Sequence, residues 1–155
     1  MRKGVYILLI DEKFIFTPSL NQTHKIISFN LDREYESLLI NFSYNPKKST
    51  KDEGVFNKQM AIDRYLPDEL KNKDVISDLL GAELNNLITL SLRKGDDFIG
   101  NYHNQKNNQE IRISEEFSSR GFRPYKLEVG SYDLILSFHN ILTDVKARLK
   151  VALYE

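Results

Sequence analysis

The chain has 155 residues and a mass of 18.1 kDa, which is typical of a single domain and sufficient to bury a substantial apolar core. Basic residues (Lys and Arg) and acidic residues (Asp and Glu) number 22 each, and this balance argues against a nucleic-acid partner, since such proteins usually carry an excess of positive charge. No cysteine is present, which excludes disulfides, thiolate metal sites and a cysteine nucleophile.

The N-terminal segment does not have the pattern of a targeting signal. Arg2 and Lys3 precede an apolar run from Val5 to Ile10, but charged residues 11–13 end this run. A secretory signal has an apolar stretch of about 7–15 residues followed by a small-residue cleavage site. No window reaches the roughly 18–20 apolar residues of a membrane span. We therefore expect a cytoplasmic protein with no membrane partner.

Apolar and polar residues alternate in six segments, the pattern of strands that bury one face. In chain order these segments are residues 25–31, 37–44, 87–92, 110–114, 132–138 and 145–154. Only four alanines occur in the chain, although alanine is the strongest helix former. The spacing predicts about eight short strands in an antiparallel two-sheet β-sandwich, jelly-roll-like, that forms a single domain over residues 1–155.

Residues 55–80 break the two-residue alternation. Apolar residues such as Phe56 and Met60 recur there at helical spacing, and Pro67 is placed as in the first turn of a helix. A second apolar stripe, from Val75 to Leu80, is followed by Gly81. Because a segment of this size cannot form its own core, we predict a short helical insertion between strands.

Several short motifs in the second half of the chain recur in a known family. They are Asn86 to Leu92, Phe98 to His103, Glu110 to Ser114, Gly121 to Pro124 and Gly130 to Tyr132, followed by His139. Together they resemble the amino-terminal β-sandwich domain that precedes the catalytic domain in some bacterial metal-dependent phosphoesterases of the PHP (polymerase and histidinol phosphatase) class. In the first half, Ser37 to Tyr44 followed by Asn45 and Pro46 is similar to the first core strand and turn of that domain.

The resemblance implies an accessory role. Arg120-Gly121-Phe122 stands where the family commonly has Pro-Gly-Tyr, and Tyr132 where it has Trp, but both changes preserve shape and apolar area. The catalytic domain of those enzymes carries clustered His and Asp ligands, whereas this sequence has only three histidines and no His-x-His pair. We therefore expect a non-catalytic accessory or protein-interaction domain, without a cofactor, that packs against a PHP-type hydrolase domain or chain; a homodimer is the alternative assembly.

Two histidines are the first candidate site residues. His103 and His139 match positions where the resembling domains often carry histidine, and each lies at the edge of a predicted strand. If the two strands are neighbours, the imidazoles could bind a metal or an anion. Otherwise each histidine is a polar side chain that hydrogen-bonds the backbone at a strand end. The first reading gives an alternative function, a metal-dependent hydrolase using His103 and His139.

The loop from Arg120 to Lys126 is the second candidate, because it interleaves three cations with two aromatic rings. Such a loop could hold a phosphate or a sugar through charge-assisted hydrogen bonds and ring stacking, although charged loops are often simply solvated. The candidate ligand-binding residues for a glycan or small anion are Arg120, Arg123, Tyr125 and Lys126.

A carbohydrate-binding module is accordingly a further alternative function. The chain has no tryptophan, so a sugar platform would have to use tyrosines, for which Tyr102, Tyr125 and Tyr132 are the candidates. The sequence contains no Gly-x-Ser-x-Gly elbow, phosphate-binding glycine loop, His-Glu-x-x-His motif or dinucleotide fingerprint. The absence of these motifs favours binding over catalysis.

Overall fold

The structure, a computed structural model, describes residues 5–48, 59, 62–63, 66–76, 85–102 and 106–155. Most of these residues lie in eight β-strands. The strands are β1 (Tyr6–Phe16), β2 (His24–Leu31), β3 (Ser37–Asn45), β4 (Leu87–Lys94), β5 (Asp97–Tyr102), β6 (Asn108–Ser114), β7 (Gly130–Asn140) and β8 (Val145–Tyr154). Two 3₁₀ turns, Pro18–Leu20 and Asp68–Leu70, lie between strands.

The strands form two four-stranded sheets. Sheet A has the order β1-β8-β3-β6, and sheet B has the order β2-β7-β4-β5. All the ladders are antiparallel. β1 pairs with β8, β2 with β7, β3 with β6 and β4 with β5. The chain therefore forms one long antiparallel hairpin that folds over itself. This is jelly-roll topology, and it confirms the predicted two-sheet sandwich.

The alternating residues of the strands fill the space between the sheets. Each of the following core residues of β3, β7 and β8 is at most 5% exposed: Leu38, Ile40, Phe42, Tyr44, Tyr132, Leu134, Leu136, Phe138, Val145, Ala147, Leu149, Val151 and Leu153. Burying a large apolar side chain contributes about 1.5–3 kcal/mol, so this set supplies the main driving force for the sandwich.

All six predicted strands are present, with ends shifted by no more than two residues. The alternation did not identify β1 or β5. In β1 the pairing with β8 shifts between Leu8 and Ile10, so the inward side changes within the strand. In β5 only six residues are available, and its pairing with β4 shifts between Leu92 and Arg93. A bulge interrupts the two-residue period from which a strand is recognised.

The described part of residues 55–80 is helical in short stretches, as predicted. Gln59, Ile62 and Asp63 have helical conformation, and so does the stretch 73–76. Asn72 begins the second stretch, since its side-chain oxygen accepts a hydrogen bond from the Val75 N–H at 3.0 Å. The rest of the predicted insertion lies outside the described residues. None of the helices within the described ranges is long and apolar enough to cross a lipid bilayer.

Two glycines with positive φ shape the end of the sandwich near β5. Gly95, with φ of 56°, forms the β4–β5 turn in open space. Gly121, with φ of 92°, lies in the β6–β7 loop (residues 115–129), and its carbonyl accepts a hydrogen bond from the Asn101 N–H at 3.0 Å. A Cβ atom on Gly121 would overlap the carbonyl oxygen of Asn101. The loop therefore approaches β5 so closely that only glycine fits.

Alanine substitution of these two glycines separates backbone strain from steric overlap. We expect Gly95→Ala to lower the free energy of unfolding by about 1 kcal/mol, because only the backbone conformation is disfavoured. Gly121→Ala is expected to lower it by about 2–4 kcal/mol, because the loop must also move away from β5. Urea denaturation of both variants and the parent measures the difference. Equal losses would show that the loop does not pack tightly on β5.

Candidate functional site

The predicted ligand-binding residues lie in the β6–β7 loop, which is held firmly against the sandwich. The Arg123 N–H donates to the Ile99 carbonyl at 3.0 Å, and the Tyr125 N–H donates to the Ser114 carbonyl at 2.8 Å. Backbone hydrogen bonds therefore tie the loop to both β5 and β6. The structure separates the four side chains into three different environments.

Arg123 and Tyr125 come together around a carboxylate of the β4–β5 hairpin. The Arg123 guanidinium forms an ion pair with Asp97 and donates through Nε to the Phe98 carbonyl at 3.0 Å. The Tyr125 hydroxyl donates to the second Asp97 oxygen at 3.1 Å, and the guanidinium lies 5.4 Å from the centre of the Tyr125 ring. Burial and the neighbouring Asp97 raise the pKa of Tyr125. An external anion would have to displace Asp97 to reach Arg123.

Lys126 and Arg120 are placed apart from that cluster. The Lys126 ammonium is 3.6 Å from a carboxylate oxygen of Glu34. It lines a cavity of about 460 Å³ together with five glutamates: Glu34, Glu36, Glu115, Glu116 and Glu155. Arg120 is exposed at the turn of the loop. The acidic surroundings of Lys126 disfavour an anion, and binding of a glycan or small anion by these four residues stays a prediction.

The three candidate tyrosines do not form an exposed platform. Tyr132 is fully buried, and its ring stacks on Phe29 with centroids 5.5 Å apart. Tyr125 meets the Tyr132 ring edge-on at 6.5 Å, and Tyr102 is half-buried against the core. The Tyr132 hydroxyl donates to the Glu128 carbonyl at 2.8 Å. Tyr125 and Tyr132 therefore anchor the β6–β7 loop to the core.

Alkaline pH should lower the free energy of unfolding through the ionisation of Tyr132. Burial raises the pKa of Tyr132 to about 12, above its ordinary value of about 10. Between these values the unfolded chain loses the phenolic proton while the folded chain retains it, so the free energy of unfolding falls as pH rises from about 10 to about 12. We expect a loss of about 2 kcal/mol across this range.

Denaturation curves of the parent and of Tyr132→Phe, measured from about pH 9 to about pH 12, test this expectation. The variant lacks the phenol, so its stability should depend less steeply on pH, while both proteins share the titration of their lysines. Parallel pH profiles for the two proteins would contradict the assignment of this alkaline loss to Tyr132.

His139 lies on the outer face of sheet B and hydrogen-bonds within the protein. Its ring Nε2 is 2.7 Å from the Thr89 hydroxyl, and its carbonyl accepts a hydrogen bond from Gln22 Nε2 at 2.6 Å. His103 lies outside the described residues. In sheet B the strand β4 lies between β5 and β7, so the strand that ends at Tyr102 is not adjacent to the strand of His139. The His103–His139 metal site stays a prediction, and no group of three or more His, Cys, Asp or Glu side chains within the described residues could hold a metal ion.

An apolar surface on β1 was not identified as a candidate from the sequence. Val5, Tyr6, Leu8 and Leu9 expose 51%, 52%, 46% and 36% of their surface. In the β1–β8 register Tyr6 lies opposite Tyr154 and Leu8 lies opposite Ala152. On its other side, Ala152 lies opposite Leu39 of β3. We call these seven residues the β1 apolar surface. Its sequence signal is the run from Val5 to Ile10, which is apolar on both sides of the strand.

A row of cations on β8 was also missed. Lys146, Arg148 and Lys150 alternate with core residues of β8 and therefore share the outer face of sheet A. Lys13 of β1 lies opposite Arg148. We call these four residues the β8 basic row. The sequence signal was present, because every polar position between Val145 and Val151 is a cation.

No protein-family model matches the chain, and a search of curated proteins finds no match. The resemblance to PHP-associated domains thus rests on the residues quoted from the sequence. The geometry offers two surfaces for binding on sheet A: the β1 apolar surface, whose Tyr6 and Leu8 flank the core-contacting Ile7, and the β8 basic row on the outer face.

Proposed function

We propose that the chain is a non-catalytic accessory domain that docks onto a partner protein through the β1 apolar surface. The single observation that carries this proposal is the cluster of exposed apolar side chains on an edge strand. The resemblance supports the identity of the partner, a catalytic domain or chain of a PHP-type metal-dependent hydrolase. A cytoplasmic location is part of the same proposal and rests on the sequence expectation alone.

The β1 apolar surface has the composition of the centre of an interface. The rings of Tyr6 and Tyr154 are in edge-on contact at 5.2 Å, and aromatic side chains are enriched among residues that dominate binding energy. Ala152 points to the outer face, because its neighbours Val151 and Leu153 point into the core, yet it is only 2% exposed. The outer face therefore already buries a small apolar cluster. Contiguous exposed apolar groups of this kind mark interaction sites.

Ion pairs border this surface, as expected for the polar rim of an interface. Arg33 pairs with Glu155 directly after Tyr154. On the other side, Arg148 donates from Nε and Nη2 to the two carboxylate oxygens of Asp11, each at 3.0 Å. The Arg148 guanidinium holds the pKa of Asp11 below its usual value. The apolar centre and the charged border together define a docking area limited to the first half of β1.

The position of β1 at the edge of sheet A also favours a protein partner. Within the described residues β1 pairs only with β8, so its other edge presents unpaired backbone groups. The bulge between Leu8 and Ile10 and the charges at residues 11–13 discourage strand addition along the second half of β1. A partner would therefore contact the first half of the strand, where the apolar side chains lie.

Leu8→Glu is the direct test. The substitution places a carboxylate at the centre of the β1 apolar surface, where burial against a partner would be unfavourable. We expect the affinity for the PHP-type hydrolase of the same organism to fall at least about tenfold, corresponding to 1.4 kcal/mol. Isothermal titration calorimetry of the purified proteins measures the change, and circular dichroism confirms that the variant folds. Tyr6→Ser is a second variant of the same surface.

Ile26→Glu is the matched control. Ile26 is 55% exposed on β2, which is the corresponding edge strand of sheet B, and its substitution should leave the affinity unchanged. Equal losses for Leu8→Glu and Ile26→Glu, or no binding by the parent, would contradict the proposal. Light scattering of the chain alone distinguishes self-association: a dimer that Leu8→Glu dissociates would replace the hydrolase with a second copy as the partner.

A further inference from the structure

The β8 basic row lines a groove on the outer face of sheet A. One cavity of about 640 Å³ is lined by Lys13, Lys146 and Arg148, among others, and a second of about 270 Å³ by Arg148 and Lys150. Both cavities are also lined by Ser43 of β3. Because they share Arg148 and Ser43, the two cavities adjoin, and we call them together the groove, which extends from Lys13 of β1 to Asn108 of β6.

The cations of this groove are regularly spaced and outnumber the carboxylates beside them. Alternate residues of a strand lie about 6.6–6.8 Å apart along its axis, so Lys146, Arg148 and Lys150 form a ladder of positive charge. Asp11 lies opposite Lys150 and accepts two hydrogen bonds from Arg148, so this carboxylate offsets part of the positive charge of the row. Glu110 lies further along the face and is 3.5 Å from Arg112. Within the described residues no carboxylate oxygen lies within 4 Å of the ammonium groups of Lys13, Lys146 or Lys150.

Amide and hydroxyl side chains from β3 and β6 complete the groove. Register places Asn45 beside Lys146, Ser43 beside Arg148 and Asn41 beside Lys150. Asn108 of β6 lies opposite Ser43 on its other side. Each of these groups can both donate and accept hydrogen bonds. The groove therefore combines fixed positive charges with groups that suit a hydroxyl-rich ligand.

We propose that this groove binds an anionic oligosaccharide, a sugar chain that carries carboxylate or sulfate groups. The cations would form charge-assisted hydrogen bonds with the acidic groups, and the amides would bind the sugar hydroxyls. This function does not depend on the docking of a hydrolase, because the groove shares no residue with the β1 apolar surface and has only Arg148 in common with its charged border.

The geometry favours a sugar over the other polyanions. A peptide usually adds as a strand at a free sheet edge, whereas β8 and β3 are both interior strands whose two edges are paired. Single-stranded nucleic acid is bound by aromatic rings on which bases stack, and the one aromatic residue that lines the groove, Phe14, is half-buried and stacked on Phe16 at 5.2 Å. A sugar chain that carries acidic groups can instead be held through those groups and its hydroxyls, for which the groove supplies cations and amides.

The double variant Lys146→Gln/Lys150→Gln tests the proposal. Glutamine retains most of the side-chain length but removes the charge, and neither lysine is in the core. We expect the parent to bind hexagalacturonate and a heparin-derived hexasaccharide, but not maltohexaose, in calorimetric titrations. The two carboxylated and sulfated probes show which anion is preferred. The variant should bind the preferred one at least about tenfold more weakly, and rising salt should weaken binding by the parent.

The matched control is Arg120→Gln/Lys126→Gln, which removes the same net charge from the β6–β7 loop. It should leave the affinity unchanged. Greater loss in this control than in the β8 variant would overturn the proposal and assign binding to the loop. Equal or tighter binding of hexaglutamate or of a thymidine hexanucleotide would overturn the sugar assignment. The absence of saturable binding to both acidic hexasaccharides at low salt would also overturn it.

Discussion

The pairing register of β8 is the constraint on which both candidate surfaces depend. β8 lies between β1 and β3, and Val151 is held opposite both Ile10 and Ile40. Because neighbouring side chains in a strand point to opposite faces, this register directs the odd-numbered residues from 145 to 153 into the core. A shift of one residue would bury three cations between the sheets, which is prohibitively unfavourable without partners. The same core thus specifies what sheet A presents to its surroundings.

The outer side of β8 changes character along its length. From Lys146 to Lys150 it is cationic, and from Ala152 to Tyr154 it is apolar or aromatic. Asp11, which forms a bidentate pair with Arg148, lies opposite Lys150, the last cation before the apolar region. One strand therefore contributes to two surfaces of different chemistry, and neither requires a cavity deep enough for a reaction centre.

The sequence was sufficient to predict the sandwich because β3, β8 and the part of β7 from Tyr132 to Phe138 keep a two-residue period. It was insufficient for β1, since a bulge at Leu9 moves the apolar residues from one side of the strand to the other. It was also insufficient for the β6–β7 loop. Arg123 and Asp97 are 26 positions apart, and only the packing of the loop on β5 brings them into contact. A cation without an acidic neighbour in the sequence can be neutralised by a residue that the fold supplies.

The charge balance of the chain illustrates a related difficulty. A net charge of zero suggests a surface without strong fields, yet net charge does not describe how charges are distributed. Here glutamates gather near the Glu155 end of sheet A, while lysines gather on its outer face near the start of β8. The two-residue alternation between Val145 and Val151 indicates where the basic side chains gather, because each outward position is basic.

The two proposed binding surfaces adjoin along β8. Lys150 and Ala152 are successive outward residues of β8, so they lie about 6.6–6.8 Å apart along the strand. A protein docked on Tyr6 and Leu8 would therefore border the groove rather than cover the far end at Lys146. An acidic sugar chain held along β8 would extend past the docked protein. A sugar bound in the groove would thus lie beside a partner docked on the β1 apolar surface.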